Sequence, residues 1–164
     1  MRRRIPIRIP ATLLAGALVA LAGCATVPAA VPVVPIPTAA ASLTTATKAP
    51  FGTYLVDSAG RAVYVLEGTR GMNGVTRCAG ACLGAWPPLM TAGPTTTAAG
   101  LNPALAASVA AYGGTQATYG GWPLYYYSHD HVSGDTTGQN VHDAWGHWYL
   151  LSPTGQPIMP AGGY

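Results

Sequence analysis

Charge is what this sequence has least of. Lys, Arg, Asp and Glu make up 8% of its 164 residues, and Glu67 is the only glutamate. Solubility must come instead from Thr, Ser, Gly, Asn and the backbone. General acid–base chemistry, which relies on positioned titratable groups, has few carboxylates to draw on. The formal net charge of +3 does not make the chain basic in use, because Arg2, Arg3, Arg4 and Arg8 all fall in its first ten residues. Beyond them, four cations (Lys48, Arg61, Arg70, Arg77) face five acids (Asp57, Glu67, Asp130, Asp135, Asp143), a balance of −1. Such a chain lacks the basic footprint that nucleic-acid binding requires. It also has no G-x-S-x-G and no G-x-x-x-x-G-K, so neither a serine-nucleophile elbow nor a phosphate-cradling loop is written in it. A non-enzyme is expected.

Long apolar runs are missing too. Residues 11–23, ATLLAGALVALAG, stop at 13, short of the ~20 that cross a bilayer as a helix. A basic start, a short apolar core and a small-residue end make a secretory signal. Leu21-Ala22-Gly23-Cys24 resembles a bacterial lipobox, in which the Cys is lipidated and becomes the new N-terminus; an ordinary signal with an incidental Cys is the alternative. If the cell has an outer membrane, Ala25 resembles the outer-membrane sorting pattern. Residues 25–50 contain eight Ala, five Pro and five Thr and no aromatic, whereas all 14 aromatics lie from Phe51 onward. Proline blocks helices and ladders alike, so a core strand is not expected there. The predicted organisation is a lipoprotein signal peptide over 1–23, a lipidated Cys24 with an Ala/Pro/Thr-rich tether over 24–50, and a domain over 51–164.

Within the domain the chain repeats itself. Gly60–Leu89 opens with Gly and an apolar-Tyr pair, Val63-Tyr64, and closes on Trp86-Pro87-Pro88-Leu89. Gly121–Leu151 opens with Leu124-Tyr125 and closes on Trp148-Tyr149-Leu150-Leu151. From Gly to closing Trp the spacing is 26 residues in one copy and 27 in the other. A further echo matches Tyr54–Val63 with Tyr149–Ile158, Gly60 falling on Gly155. Self-similarity at fixed spacing points to one supersecondary unit used twice, hence a small pseudo-symmetric domain.

Its elements read as mainly β. Thr53–Asp57 and Ala62–Glu67 flank Ser58-Ala59-Gly60-Arg61; Gln116–Tyr119 and Pro123–Ser128 flank Gly120-Gly121; Trp148–Ser152 and Pro157–Met159 flank Thr154-Gly155. Each is a hairpin signature. Cys78–Leu83 reads as one helical turn. Asn102-Pro103, an N-cap and a first-turn proline, followed by ALAASVAAY and Gly113-Gly114, predicts one short helix over about 103–112. Leu105, Val109 and Tyr112 would dock it.

Tyr125-Tyr126-Tyr127-Ser128-His129-Asp130, with Tyr119-Gly-Gly-Trp-Pro-Leu before it and Gly134-Asp135-Thr-Thr-Gly138-Gln139 and Trp148-Tyr149 after it, resembles the second copy of a bacterial lipoprotein family. That family is the secreted repeat of unknown function, marked by the pattern Yx(F/W/Y)xxD. Tyr64, Cys78-x-Gly80-x-Cys82 and Trp86-Pro-Pro-Leu89 look like its first copy, so the resemblance covers roughly residues 51–158. The first copy departs from the pattern, with Leu66 in place of the second aromatic and Thr69 in place of the Asp. The resemblance implies an exported lipoprotein of β-rich fold and carries no established activity.

Three constellations could carry chemistry. His129 and His131 share one side of an extended segment, and His142, His147 and three aspartates follow closely. Imidazoles suit copper or zinc, yet H-x-H in a loop also describes polar histidines with no ligand. Cys78 and Cys82, four apart, place both sulfurs on one face of a turn, as a structural disulfide requires. A redox or metal-ligating pair is the alternative, with Arg77 adjacent. Alternation puts Tyr125 and Tyr127 on one face and Tyr126 on the other, which suits a core strand or a platform for sugars or quinones. Asp130 is placed to cap a turn. The leading reading is a lipid-anchored envelope protein that binds or scaffolds without turnover, its partners being the membrane and an envelope protein. The runner-up is a periplasmic copper or zinc binder using His129, His131, His142 and His147. A thiol–disulfide or electron-transfer component built on Cys78 and Cys82 is third.

Overall fold

The computed structural model describes residues 37–72 and 77–160. The leader, Cys24 and the tether as far as residue 36 lie outside the described residues. Among the described residues nine short strands form three three-stranded sheets. β1 (Ser42–Lys48) lies between β2 (Gly52–Asp57), antiparallel, and β4 (Thr96–Thr97), parallel. β9 (Gly146–Leu150) lies between β3 (Tyr64–Leu66) and β8 (Val141–Asp143). β6 (Gly114–Tyr119) lies between β5 (Ala106–Ala111) and β7 (Trp122–Pro123). Backbone bonds outside the ladders tie the sheets and the loops beside them together: Leu55 N donates to Leu151 O, Leu89 N to Leu124 O and Ala117 N to Leu89 O, all at 2.8–2.9 Å.

The chain is mainly β, as its composition and turn signals lead one to expect. β2, β3 and β9 are buried on both faces, and the period of two sorts their side chains into separate cores. Leu55, Val63, Val65, Tyr149 and Leu151 enter one core with Leu124 and Trp122. Tyr54, Val56, Tyr64, Leu66, Trp148 and Leu150 enter the other with Trp86, Tyr125, Cys78 and Cys82. The tyrosine run follows the same rule, Tyr125 and Tyr127 lying in the second core and Tyr126 against the first.

The three expected hairpin turns are present. Tyr119 pairs with Trp122 across Gly120-Gly121, whose φ angles of 60° and 81° fit a type I′ turn. The echoed segments make one turn twice. Gly60 N donates to Asp57 O, Asp57 N to Arg61 O, and Arg61 N to Asp57 Oδ1. In the second version Gly155 N donates to Ser152 O, Ser152 N to Gln156 O, and Gln156 N to Ser152 Oγ.

Two expectations give way. The helix over 103–112 is not there. Asn102 Oδ1 accepts from Ala104 N and Pro103 begins a turn, but that turn is a 3₁₀ segment of three residues, Pro103–Leu105. β5 then pairs along six residues with β6. Alanine's helical advantage is only tenths of a kcal/mol per residue, and an isolated helix this short is marginal. A full antiparallel ladder onto a strand whose Ala117 and Tyr119 are buried outweighs it. The glycines expected to stop a helix serve a hairpin instead, Tyr112 and Gly113 turning at φ 54° and 75°. Tyr112 is held in that left-handed conformation by its hydroxyl, which donates to Cys78 O at 2.8 Å and accepts from Tyr125 Oη at 3.0 Å. The helix of the described residues is instead α1, Cys82–Ala85.

The second correction concerns the tether. Ser42–Lys48, assigned to it by composition, is β1, and its Leu43 is fully buried. One large apolar residue among small polar ones gives no periodic signal. Its place is set by six antiparallel pairs with the adjacent β2 and by a parallel pairing with Thr96 and Thr97 over fifty residues away.

Leu43→Ala is expected to cost about 2–5 kcal/mol in urea unfolding, the range for emptying a buried leucine site, where a tether residue would cost nothing measurable. Asp57 yields a pH prediction. Burial pushes its carboxyl up, but hydrogen bonds from Arg61 N, the Tyr126 hydroxyl and the Arg61 guanidinium, with that cation's charge, hold it below the usual carboxylate range. A lowered folded value means stability that is complete above the unfolded value of ~4 and lost as pH falls through the folded one. Thermal melts between pH 2 and 6 should show that loss in the parent and a shallower one in Asp57→Asn.

Candidate functional site

Equivalent residues of the two copies meet. The closing tryptophans, Trp86 and Trp148, stack with ring centroids 3.9 Å apart and planes 8° from parallel. Tyr64 stands edge-on to Trp86 at 5.6 Å, and its counterpart Tyr125 stands edge-on to Trp148 at 5.3 Å. The backbones of these two tyrosines exchange both hydrogen bonds, at 2.8 and 3.0 Å. Tyr127 extends the stack on the other face of Trp86, 4.2 Å away. Beside it lies the Cys78–Cys82 disulfide, with both residues fully buried and Trp86 N bonded to Cys82 O. A bond buried in the Trp86 core is what the structural reading of the cysteines requires; a redox pair would need access.

The four aspartates are all engaged, two of them, Asp143 and Asp130, directly with this arrangement. Asp143 Oδ2 accepts from Trp86 Nε1 at 2.8 Å and its Oδ1 from Trp148 Nε1 at 3.2 Å. Oδ1 also takes the backbone N–H groups of Trp145 and Gly146, closing the β8–β9 turn. Sequence reading put Asp143 only among possible metal ligands. Its place before a two-residue turn was the available signal for the turn, and nothing announced the indoles. Asp130, the motif carboxylate, accepts from the Tyr64 hydroxyl at 2.6 Å through Oδ2 and from Thr137 N and Oγ1 through Oδ1. The motif Asp of the second copy thus serves a tyrosine of the first. Burial and that carboxylate push the Tyr64 hydroxyl's pKa up, so it stays a donor. Asp57 Oδ2 takes the Tyr126 hydroxyl and Arg61 Nε, while Asp135 Oδ2 takes the backbone N–H of His131 and Val132. Carboxylates engaged in this way are turn and core fasteners, which is the capping role foreseen for Asp130.

The histidines divide. His142 and His147 face each other across β8 and β9 with centroids 3.9 Å apart, and Glu67 Oε2 is 3.4 Å from His147 Nδ1. His129 packs edge-on against Tyr127 at 4.9 Å, and His131 is exposed. Among the described residues no group of three or more His, Cys, Asp or Glu stands close enough to hold a metal ion. The four-histidine cluster is therefore not assembled.

One cleft of about 470 Å³ opens beside the aromatic core. Pro87, Pro88 and Met90 form one wall, Tyr126, Tyr127 and Ser128 another, with Ala62 and Leu89 beneath. Arg61 lies at its edge, the guanidinium 3.9 Å above the Tyr126 ring and paired with Asp57 at 2.9 Å. Burial and the neighbouring Asp57 push the Tyr126 hydroxyl's pKa up, so it too remains protonated.

Asp143→Ala would strand two buried indole N–H groups. At about 1–3 kcal/mol for each unsatisfied donor, a loss of about 3 kcal/mol is expected by denaturant unfolding. Asp135→Ala, whose carboxylate binds only exposed loop amides, should cost less than about 1 kcal/mol.

No curated protein and no solved structure matches the chain. A family model does, over residues 107–151, and its description is a secreted repeat of unknown function. The matched segment runs from β5 to the end of β9 and contains the whole Yx(F/W/Y)xxD pattern. Residues 107–151 of this chain are thus similar to that secreted repeat.

Proposed function

We propose that this is an exported protein anchored to the cell envelope by a lipid on Cys24, and that its domain works by binding a partner protein without catalytic turnover. The observation that carries the binding reading is a contrast. The aspartates are occupied by structural donors, while the cleft between Pro87-Pro88 and Tyr126-Tyr127 is open and mostly apolar, with Arg61 and the already engaged Asp130 as the charged groups of its lining. Proline and tyrosine walls offer flat, rigid surface at low entropic cost, the kind that receives extended polypeptide. An extended apolar segment of an envelope protein is the ligand class that fits. The anchoring reading rests on the leader, the Leu-Ala-Gly-Cys24 run and the family's description as a secreted repeat. Among the described residues no helix is long and apolar enough to cross a membrane. More than one acyl chain, at about 0.8 kcal/mol per buried CH₂, holds stably.

The full chain expressed in a bacterial host should fractionate with membranes and incorporate labelled fatty acid. Cys24→Ser should do neither; if it stays in the membrane fraction unlabelled, the lipid anchor is wrong. Photo-crosslinking side chains at Met90 and Ser128, on the cleft, should give one shared adduct in intact cells. The same probe at Thr45, on the exposed side of β1, should not. Equal adducts from all three positions would dispose of the cleft as the docking site.

A further inference from the structure

The chain enters its folded part at the rim of the cleft. Pro37, the first described residue, lines it together with Met90, Pro87, Pro88, Tyr126 and Tyr127. Just downstream the backbone is fastened beside the same wall. Ala39 O accepts from Ala92 N at 3.0 Å, and Ala41 N donates to Thr91 Oγ1 at 2.8 Å. Leu43 is then buried in β1. The residues immediately before Pro37 therefore start from the cleft. Their sequence is Val31-Pro32-Val33-Val34-Pro35-Ile36, and no charged residue occurs between Cys24 and Lys48. Proline fixes its own φ and drives the residue before it to extended or polyproline II backbone. From Val31 to Pro37 every residue except Val33 is a proline or precedes one. The Pro32-x-x-Pro35 spacing matches a polyproline II turn of about three residues, and segments of this kind dock on aromatic-lined grooves.

We infer that the Pro32–Ile36 segment of the tether docks in this cleft as a polyproline II strand, so that a partner's extended segment enters only by displacing it. This rests on the reading of the cleft as a receptor for extended polypeptide, and adds that the chain carries its own competitor. The match is one of chemistry as well as place. An uncharged, apolar, pre-stiffened segment meets a mostly apolar wall of prolines and tyrosines. Covalent connection then decides the balance. A segment joined directly to its site has an effective concentration in the millimolar range. Even a contact with a dissociation constant of about 0.1 mM is then filled about nine-tenths of the time, and a competing segment binds about tenfold more weakly. The tether is thus a latch on the cleft, and only a partner that binds more tightly than the latch opens it.

The test uses the full chain in lipid nanodiscs, with a photo-crosslinking side chain at Met90. Irradiation should join that position to residues 32–36 of the same chain, located by mass spectrometry after proteolysis. The same probe at Thr45, on the exposed side of β1, should not. Pro32→Asp/Pro35→Asp should cut the crosslink at least tenfold, with an unchanged pattern of limited proteolysis showing that the variant is folded. A labelled peptide of residues 31–37 added in trans should bind this variant about tenfold more tightly than the parent. No crosslink to residues 32–36, an equal crosslink in the variant, or equal peptide binding by the two chains would each overturn the latch. So would a crosslink joining two chains, which gives the site to a second copy's tether. The two readings of the cleft fail separately. A tether crosslink with no shared adduct in intact cells removes the partner and keeps the latch. A shared cellular adduct from Met90 and Ser128 without a tether crosslink does the reverse.

Discussion

Trp86 and Trp148 bury their indole N–H groups, and both send them to one carboxylate, Asp143. A buried donor without an acceptor costs more than a satisfied one gains, so this single group fixes how the two rings lie. With the rings parallel and 3.9 Å apart, the rest is constrained in turn. α1 and its disulfide must enter beside Trp86; β9 must run where Trp148 can reach the stack. Tyr64 and Tyr125 then close on the ring edges, their backbones paired to each other. Stacked and edge-on aromatic contacts add about 0.5–1.5 kcal/mol apiece beyond buried area, which matters in a domain with strands this short.

The scarcity of charge takes on meaning in this setting. Asp57 fastens Tyr126 and Arg61 and closes a turn; Asp130 fastens Tyr64 to the loop that follows the motif; Asp143 fastens the indoles. Each joins a loop to an aromatic ring far away in sequence. Groups engaged this way keep the aromatics oriented.

How much of this was legible depended on the distance over which each feature is decided. Local signals read well: the Gly120-Gly121 hairpin, the echoed turns at Asp57 and Ser152, the cysteine spacing and the alternation of Tyr125–Tyr127. Each of these is settled by neighbours a few residues away. β5 reads locally as a helix because an N-cap, a first-turn proline, helix-favouring alanines and a glycine stop all point that way, and pairing with β6 overrides them. β1 was hidden because its pattern shows one buried leucine among small polar residues, and only one of its two partners, β2, is close in sequence. Asp143 looked like a metal-ligand candidate because acids near histidines do; its indole partner Trp86 lies 57 residues back. The repeat itself was readable, but that its matched residues touch one another was not.

That contact couples two distant segments. Tyr64 has Thr69, not an Asp, at the position matching the motif carboxylate, and its hydroxyl is served by Asp130 from 66 residues further on. The Thr69 hydroxyl turns inward to Leu66 O instead. Losing either Tyr64 or Asp130 leaves the other without its partner, so the two positions tolerate change only together.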